Sequence, residues 1–206
     1  MGQPQRDTSR IVLPPASFVH EKEKLQQRWP AAVRYVTGQG LNEFLAEAAA
    51  DVGLIVQGGH FNTLARVLER LGLADVYGRT RLPLYVMNVA YPVIDAEVER
   101  FAHGKRAVLV VEEGQPNFVE QNIATILRAA GSTAALHGKD LLPASGEYTV
   151  AEMLGGVKRF LQRYGVLPAD VPAPAPPQML PIDIAPQVHV RPPGFCTGCP
   201  ERPIFA

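Results

Sequence analysis

Residues 52–73 read "VGLIVQGGHFNTLARVLERLGL". An apolar run beginning at Val52 ends in two glycines, Gly58 and Gly59. Phe61, Leu64, Ala65, Leu68 and Leu71 then recur at the spacing of one helical face. A strand that is apolar on both sides and runs straight into an amphipathic helix is the unit of a helix-covered parallel sheet. Both faces of such a strand must be buried, and crossover helices bury them.

The unit repeats downstream. "LPLYVMNV" is a second apolar run, and "DAEVERFAHG" is a short helix with Asp95 near its start, Val98, Phe101 and Ala102 inward, and Gly104 as its stop. "RAVLVVEE" is a third strand, followed by the helix "NFVEQNIATILRAAG", which faces the core through Val119, Ile123, Ile126, Leu127 and Ala130 and ends at Gly131. "STAALHG" is a fourth strand. "TVAEMLGGVKRFLQRYG" closes the series, with a capping box of Thr149 and Glu152, an apolar stripe from Val150 to Tyr164, and Gly165 as C-cap. The order β-α-β-α-β-α-β-α predicts a three-layer α/β/α domain over 41–165 with a mainly parallel sheet. No internal repeat is present.

Residues 1–40 read as a lead-in segment with one short helix. Ser17 is a plausible cap, Phe18, Leu25 and Trp29 fall at roughly helical spacing, and Pro30 is expected to interrupt the helix. The run Glu21–Lys24 reads as a solvated face. After the domain, residues 166–187 ("VLPADVPAPAPPQMLPIDIAPQ") read as a Pro-rich, semi-rigid linker. Residues 188–206, "VHVRPPGFCTGCPERPIFA", read as the opening of a further domain that is cut short.

Composition narrows the function. The 206 residues carry Lys+Arg 20 against Asp+Glu 20. That balance argues against a nucleic-acid binder and against a polybasic membrane-surface protein. No apolar run approaches the roughly 20 residues that span a bilayer, and the N-terminus has neither a secretory h-region nor a myristoylation signal. Two cysteines without a signal peptide point to a reducing cytoplasm.

The candidate sites carry competing readings. Gly58 and Gly59 follow a strand and precede a helix, the position of a ligand crevice in α/β sheets. Their pattern is neither G-x-G-x-x-G nor a P-loop, so a tight strand-to-helix turn is the preferred reading. Glu112 and Glu113 stand at a strand's carboxyl end and form a possible acid/base pair. Adjacent strand residues point to opposite faces, however. The favoured reading is structural or interfacial, with Glu113, Gln115 and Asn117 satisfying the next helix's N-terminus. His60, His103 and His137 fit no metal spacing; His60 and His137 both follow strand ends and can line one crevice, but a satisfied surface histidine is the preferred reading. Cys196 and Cys199 admit four readings: half a zinc site, a redox pair, an iron–sulfur half-site, or two buried thiols.

"GFCTGCPERPIF" resembles the C-x-G-C-P-x-R-x-x-F segment that opens the thiamine-diphosphate-binding domain in indolepyruvate:ferredoxin oxidoreductase alpha subunits, within the 2-oxoacid:ferredoxin oxidoreductase family. "DVGLIVQGGHFNTLARVLERLGLADVYG", "PLYVMNVAYPV", "KRAVLVVEEGQPNFVEQNIATILR" and "LHGKDLLPASGEYT" resemble the transketolase C-terminal-like domain that precedes it, and "RIVLPPASFVHEKEKLQQRWPAA" its lead-in. Glu201 stands where many relatives have His. The resemblance implies oxidative decarboxylation of a 2-oxoacid, here an aryl pyruvate, to an acyl-CoA. Thiamine diphosphate with Mg²⁺ serves as electron sink, and 4Fe–4S clusters pass electrons to ferredoxin. It implies a beta subunit or fused equivalent, a dimer or heterotetramer, and an internal fragment without catalytic residues, inactive and cofactor-free alone. Cys196, Cys199 and Arg202 are carried over as cofactor-pocket residues, the two cysteines also as iron–sulfur ligands. Gly58, Gly59, Glu112, Glu113 and Gln115 are expected on loops presented to neighbouring domains. Two other classes stay open: a stand-alone α/β small-ligand-binding module using the crevice after "VQGG", and a redox or metal protein built on the cysteine pair.

Overall fold

The computed structural model describes residues 13–46 and 50–168. Helix α1 (Ala16–Glu23), a π turn (Lys24–Arg28) and helix α2 (Trp29–Gly38) come first. The domain then runs β1 (Glu43–Leu45), β2 (Val52–Gln57), α3 (Phe61–Arg70), β3 (Leu84–Met87), α4 (Asp95–Ala102), β4 (Ala107–Val111), α5 (Phe118–Ala129), β5 (Ala135–His137) and α6 (Val150–Arg163). The sheet order is β1-β3-β2-β4-β5. β2 pairs in parallel with β3 and β4, and β4 with β5, while β1 pairs antiparallel with β3.

The pleat sorts side chains into two cores. Val52, Leu54, Val56, Leu84, Val86, Leu109 and Val111 face one side, against Leu64, Val67 and Leu68 of α3 and Met153, Val157, Phe160 and Leu161 of α6. Ile55, Tyr85, Met87, Val108 and Val110 face the other, against Val98 and Phe101 of α4 and Ile123 and Leu127 of α5. Burying each large side chain contributes about 1.5–3 kcal/mol. The expected three-layer α/β/α arrangement is therefore the observed one, and its four expected strands all form.

Three features differ from the sequence reading. β1 is a fifth strand; three residues on a sheet edge are too few to show a period. The helix also continues through Pro30 to Gly38 instead of stopping. Proline has no N–H, and its ring collides with the carbonyl four residues back in regular α geometry. The π turn just before Trp29 widens the helix at that point. Pro15, not Ser17, precedes the first turn, without a side-chain cap. The expected linker and the opening of the next domain lie outside the described residues.

α6 carries two adjacent glycines with opposite surroundings. A Cβ on Gly156 would stand 2.5 Å from Leu142 Cδ2 and 2.7 Å from the Leu141 carbonyl oxygen. On Gly155 it would meet only Arg159 Nη1, at 3.4 Å. Alanine is favoured over glycine in a helix by about 0.8–1 kcal/mol, but forcing the Leu141–Leu142 backbone away costs about 1–3 kcal/mol. Gly155→Ala is expected to raise the urea midpoint and Gly156→Ala to lower it. A rise for both would show that the loop moves aside at no cost.

Candidate functional site

The sheet order places a topological switch between β2 and β4. The chain leaves β2 towards β3 on one side and leaves β4 towards β5 on the other. Crevices at such points, outside the carboxyl ends of the strands, are where open α/β sheets bind ligands. The loop after β2 carries Gly58, Gly59 and His60. The loop after β4 carries Glu112, Glu113, Gly114 and Gln115. The two sets singled out in the sequence thus flank one point of the sheet.

Gly58–His60 is a single 3₁₀ turn. A Cβ on Gly58 would lie 2.7 Å from Asn88 Oδ1, and Asn88 Nδ2 donates to the Leu41 carbonyl at 3.0 Å and to Glu43 Oε1 at 2.8 Å. Gly58 is small because the end of β3 passes close to it, as the tight-turn reading requires. Gly59 has open space around it.

Glu112 is 5% exposed. Its two oxygens accept from Val119 N at 3.0 Å and Glu120 N at 2.9 Å, capping α5. Glu113 Oε2 accepts from Tyr148 N at 2.6 Å. The structural reading of this pair is the observed one, but Glu112 rather than Glu113, Gln115 and Asn117 satisfies the helix. Asn117 Oδ1 accepts from the Gln121 side chain at 2.7 Å, and Gln115 is exposed. Both Glu112 oxygens accept from backbone N–H groups and Glu113 accepts from that of Tyr148, so each carboxylate is held by the backbone.

Lys139 and Tyr148, which the sequence reading passed over, complete the arrangement. Lys139 Nζ donates to the Glu112 carbonyl, to Tyr148 Oη at 2.7 Å and to the Pro143 carbonyl at 3.3 Å. Its backbone N–H donates to Glu120 Oε2 at 3.1 Å. Tyr148 Oη donates to the Pro143 carbonyl at 2.5 Å, and its ring lies 6.0 Å from that of His60. Burial lowers the Lys139 pKa, against the pull of Glu112, Glu120 and Glu113. Burial first, then the charges of Glu113, Glu120 and Glu112, push the Tyr148 phenol up to about 12. Side chains of the protein itself therefore crowd the carboxyl end of β4. Cavities open elsewhere. One of about 680 Å³ lies at the opposite edge, lined by His103, Lys105, Arg106 and Ser132. Another, of about 440 Å³, lies beside Phe61 and Tyr77.

A signal for Lys139 was available: it follows the end of β5, as Glu112 follows β4. Tyr148 had none, since its role depends on how the intervening loop folds back. His137 does not join His60. It is 7% exposed, with Nδ1 bonded to Asp140 Oδ2 at 2.6 Å and Nε2 to Tyr164 Oη at 2.8 Å. Among the described residues no group of three or more His, Cys, Asp or Glu is placed to hold a metal ion. Cys196, Cys199 and Arg202 lie outside the described residues.

Two outcomes follow from this geometry. Glu112→Ala strands two N–H groups that bonded a carboxylate, bonds of about 1.5–3 kcal/mol each. Its unfolding free energy should fall by about 2–4 kcal/mol, and that of Glu113→Ala by clearly less. Equal losses in urea titrations would contradict the division of roles. For Tyr148 the folded pKa exceeds the ordinary value of 10.0. Its contribution to stability is complete below pH 10 and is lost as pH rises towards 12. The stability difference between wild type and Tyr148→Phe should therefore shrink over that window. A difference spectrum of the two at 295 nm should titrate near 12 rather than 10.

No protein-family model matches the chain. It is 28% identical over 204 residues to the indolepyruvate oxidoreductase subunit IorA of Methanothermobacter thermautotrophicus, covering 98% of this chain and 30% of that one. The IorA of Archaeoglobus fulgidus is 29% identical over 224 residues, covering 98% and 31%. That of Thermococcus kodakarensis is 29% identical over 161 residues, covering 76% and 22%. Among solved structures, the 2-oxoglutarate:ferredoxin oxidoreductase from Magnetococcus marinus, with 2-oxoglutarate, coenzyme A and succinyl-CoA bound, matches 72% of this chain and 24% of that one. Its TM-score is 0.46 at 20% identity. The chain spans about 30% of the length of the first of these subunits. The resemblance carried by its motifs is thus a likeness to indolepyruvate oxidoreductase subunits along 98% of the chain.

Proposed function

We propose that this chain is a segment of a thiamine-diphosphate-dependent 2-oxoacid:ferredoxin oxidoreductase, and that its α/β domain serves as a structural and interface unit. The likeness to IorA subunits along 98% of the chain carries the assignment. The hydrogen bonds among Glu113, Lys139 and Tyr148 support the role, because they tie the loops after β4 and β5 and the loop before α6 into one edge. Gly58, Gly59, Glu112, Glu113 and Gln115 then shape an edge that is presented to neighbouring domains. In the whole enzyme thiamine diphosphate with Mg²⁺ would supply an electron sink for decarboxylation of an aryl pyruvate, and 4Fe–4S clusters would supply the route of electrons to ferredoxin. No step of that chemistry falls to the described residues. Cys196, Cys199 and Arg202 are proposed as the contribution of this chain to the cofactor pocket or a cluster. A beta subunit or fused equivalent completes a dimer or heterotetramer. Among the described residues no helix is long and apolar enough to cross a membrane, and a cytoplasmic location accords with the proposed chemistry.

The test is an assay of the longer polypeptide read from the coding sequence around this segment, with its partner subunit. Indolepyruvate and coenzyme A together should reduce ferredoxin. The isolated chain should fold, yet show no turnover and no saturable binding of thiamine diphosphate. Turnover by the isolated chain would overturn the proposal. Saturable binding of a nucleotide or coenzyme A by the isolated chain would favour a ligand-binding module.

A further inference from the structure

His137 closes β5 as a buried ring with both nitrogens engaged, Nδ1 with Asp140 Oδ2 at 2.6 Å and Nε2 with Tyr164 Oη at 2.8 Å. Asp140 fixes the direction of these bonds. Burial pushes its carboxyl up, but the Gly138 N–H, at 2.8 Å, and His137 outweigh that and hold it below its ordinary value. An ionised carboxylate only accepts. Nδ1 therefore carries a proton, and in the neutral ring Nε2 keeps a lone pair for the Tyr164 hydroxyl to donate to. A hydroxyl thus faces a base, and a carboxylate orients the base, which is the arrangement of an activated hydroxyl.

The six tyrosines of the chain differ in what their hydroxyls meet. Tyr35, Tyr77 and Tyr91 are exposed. Tyr148 donates to the Pro143 carbonyl, which takes up no proton, and accepts from Lys139. Tyr85 donates to the Glu97 carboxylate and accepts from Asn42. A donor on the phenol oxygen makes electrons harder to remove from the ring. Tyr164 alone donates to an imidazole. An ordinary imidazole binds a proton about 100-fold more tightly than an ordinary glutamate carboxylate.

The surroundings of the Tyr164 ring favour one chemistry for it. The ring is half-buried, with Phe160 at 5.2 Å and the His137 ring at 5.6 Å. The Arg106 guanidinium lies 5.7 Å from its centroid. A phenol that loses an electron becomes a strong acid. A cation beside the ring opposes a second positive charge there, so the ring gives up its proton as the electron leaves. An electron needs no substrate pocket to reach a packed side chain, and partial burial keeps the resulting radical from coupling with another.

We propose that Tyr164 and His137 form a redox site for one-electron oxidants. The oxidant removes one electron from the Tyr164 ring, the Oη–H bond breaks, and its proton passes to His137 Nε2. The products are a neutral tyrosyl radical and an imidazolium whose Nδ1–H stays on Asp140.

The 206-residue chain tests it, carrying Trp29→Phe and with Cys196 and Cys199 alkylated, so that neither indole nor thiol competes. A photo-oxidised ruthenium tris-bipyridine complex supplies the oxidant, and freeze-quench electron paramagnetic resonance reads the tyrosyl radical. A long-lived signal should form and should survive removal of the exposed tyrosines by Tyr35→Phe, Tyr77→Phe and Tyr91→Phe together. Most of it should disappear in Tyr164→Phe, and also in His137→Gln, where an amide can accept the hydrogen bond but not the proton. Urea midpoints establish that each variant is folded. Should His137→Gln unfold, Asp140→Asn carries the same test, because an amide at that position frees the ring to adopt the other tautomer. Loss of the signal with the exposed tyrosines would overturn the proposal. So would its persistence in folded Tyr164→Phe, or in the folded variant of the relay. None of these readouts involves indolepyruvate or ferredoxin, so the redox site and the enzymatic assignment fail independently.

Discussion

The constraint on which this domain depends is the burial of both faces of its central strands. Val52, Leu54 and Val56 in β2, and Val108, Leu109 and Val111 in β4, have no exposed surface. A side chain there that carries an unpaired polar group would lose several kcal/mol of solvation, roughly 2–7 by transfer measurements. Polar side chains are therefore displaced to the strand ends. The buried polar or charged residues among those described, Asn42, Lys105, Glu112 and His137, all lie at or beside such ends; Asn42, Glu112 and His137 are hydrogen-bonded, and Lys105 Nζ lies 4.9 Å from the Phe101 ring centroid.

The carboxyl edge then faces its own difficulty. Glu112, Glu113 and Glu120 converge there, and like charges repel. The fold answers with donors of three kinds. The N-terminus of α5 supplies two N–H groups to Glu112, where the helix dipole favours a carboxylate. The loop before α6 supplies the Tyr148 N–H to Glu113. Lys139 brings its ammonium among all three acids, at the expense of partial desolvation. Removing the lysine would leave the acids without their cation, so the edge is fixed as a unit and its loops hold a defined shape. A surface of defined shape is what an interface needs.

The sequence disclosed the layers more readily than the edge. Burial on both faces makes long apolar runs, and amphipathic helices leave a period, so β2, β4, α3 and α6 could be placed from residues alone. Turn stops at Gly104, Gly131 and Gly165 were equally legible, and all three have positive φ, the region glycine enters without strain. What escaped was tertiary. Glu112 and Glu113 were recognised, but which of them caps α5 depends on the pleat at the strand's end, where a shift of one residue exchanges the two faces. Tyr148 meets Glu113 across an intervening loop, and no local pattern encodes that meeting. Pro30 was read by its usual effect on a helix, and a π turn absorbed it. β1 was missed because it is held by its partner strand and by Asn42 rather than by a period of its own.

Asn42 also joins the rod to the sheet. Its Nδ2 donates to Tyr85 Oη at 3.2 Å and to Glu97 Oε2 at 2.8 Å, and its Oδ1 accepts from Val89 N at 2.9 Å. Tyr85 Oη donates to Glu97 at 2.7 Å, and its ring stacks on Phe44 at 4.7 Å. Burial, with the neighbouring Glu97, drives the Tyr85 pKa upward, so the phenol stays a donor. One asparagine thus ties the residue after the rod to β3, to α4 and to the loop beyond β3. With every polar atom of the network paired, the base of the rod cannot shift without breaking several buried bonds at once.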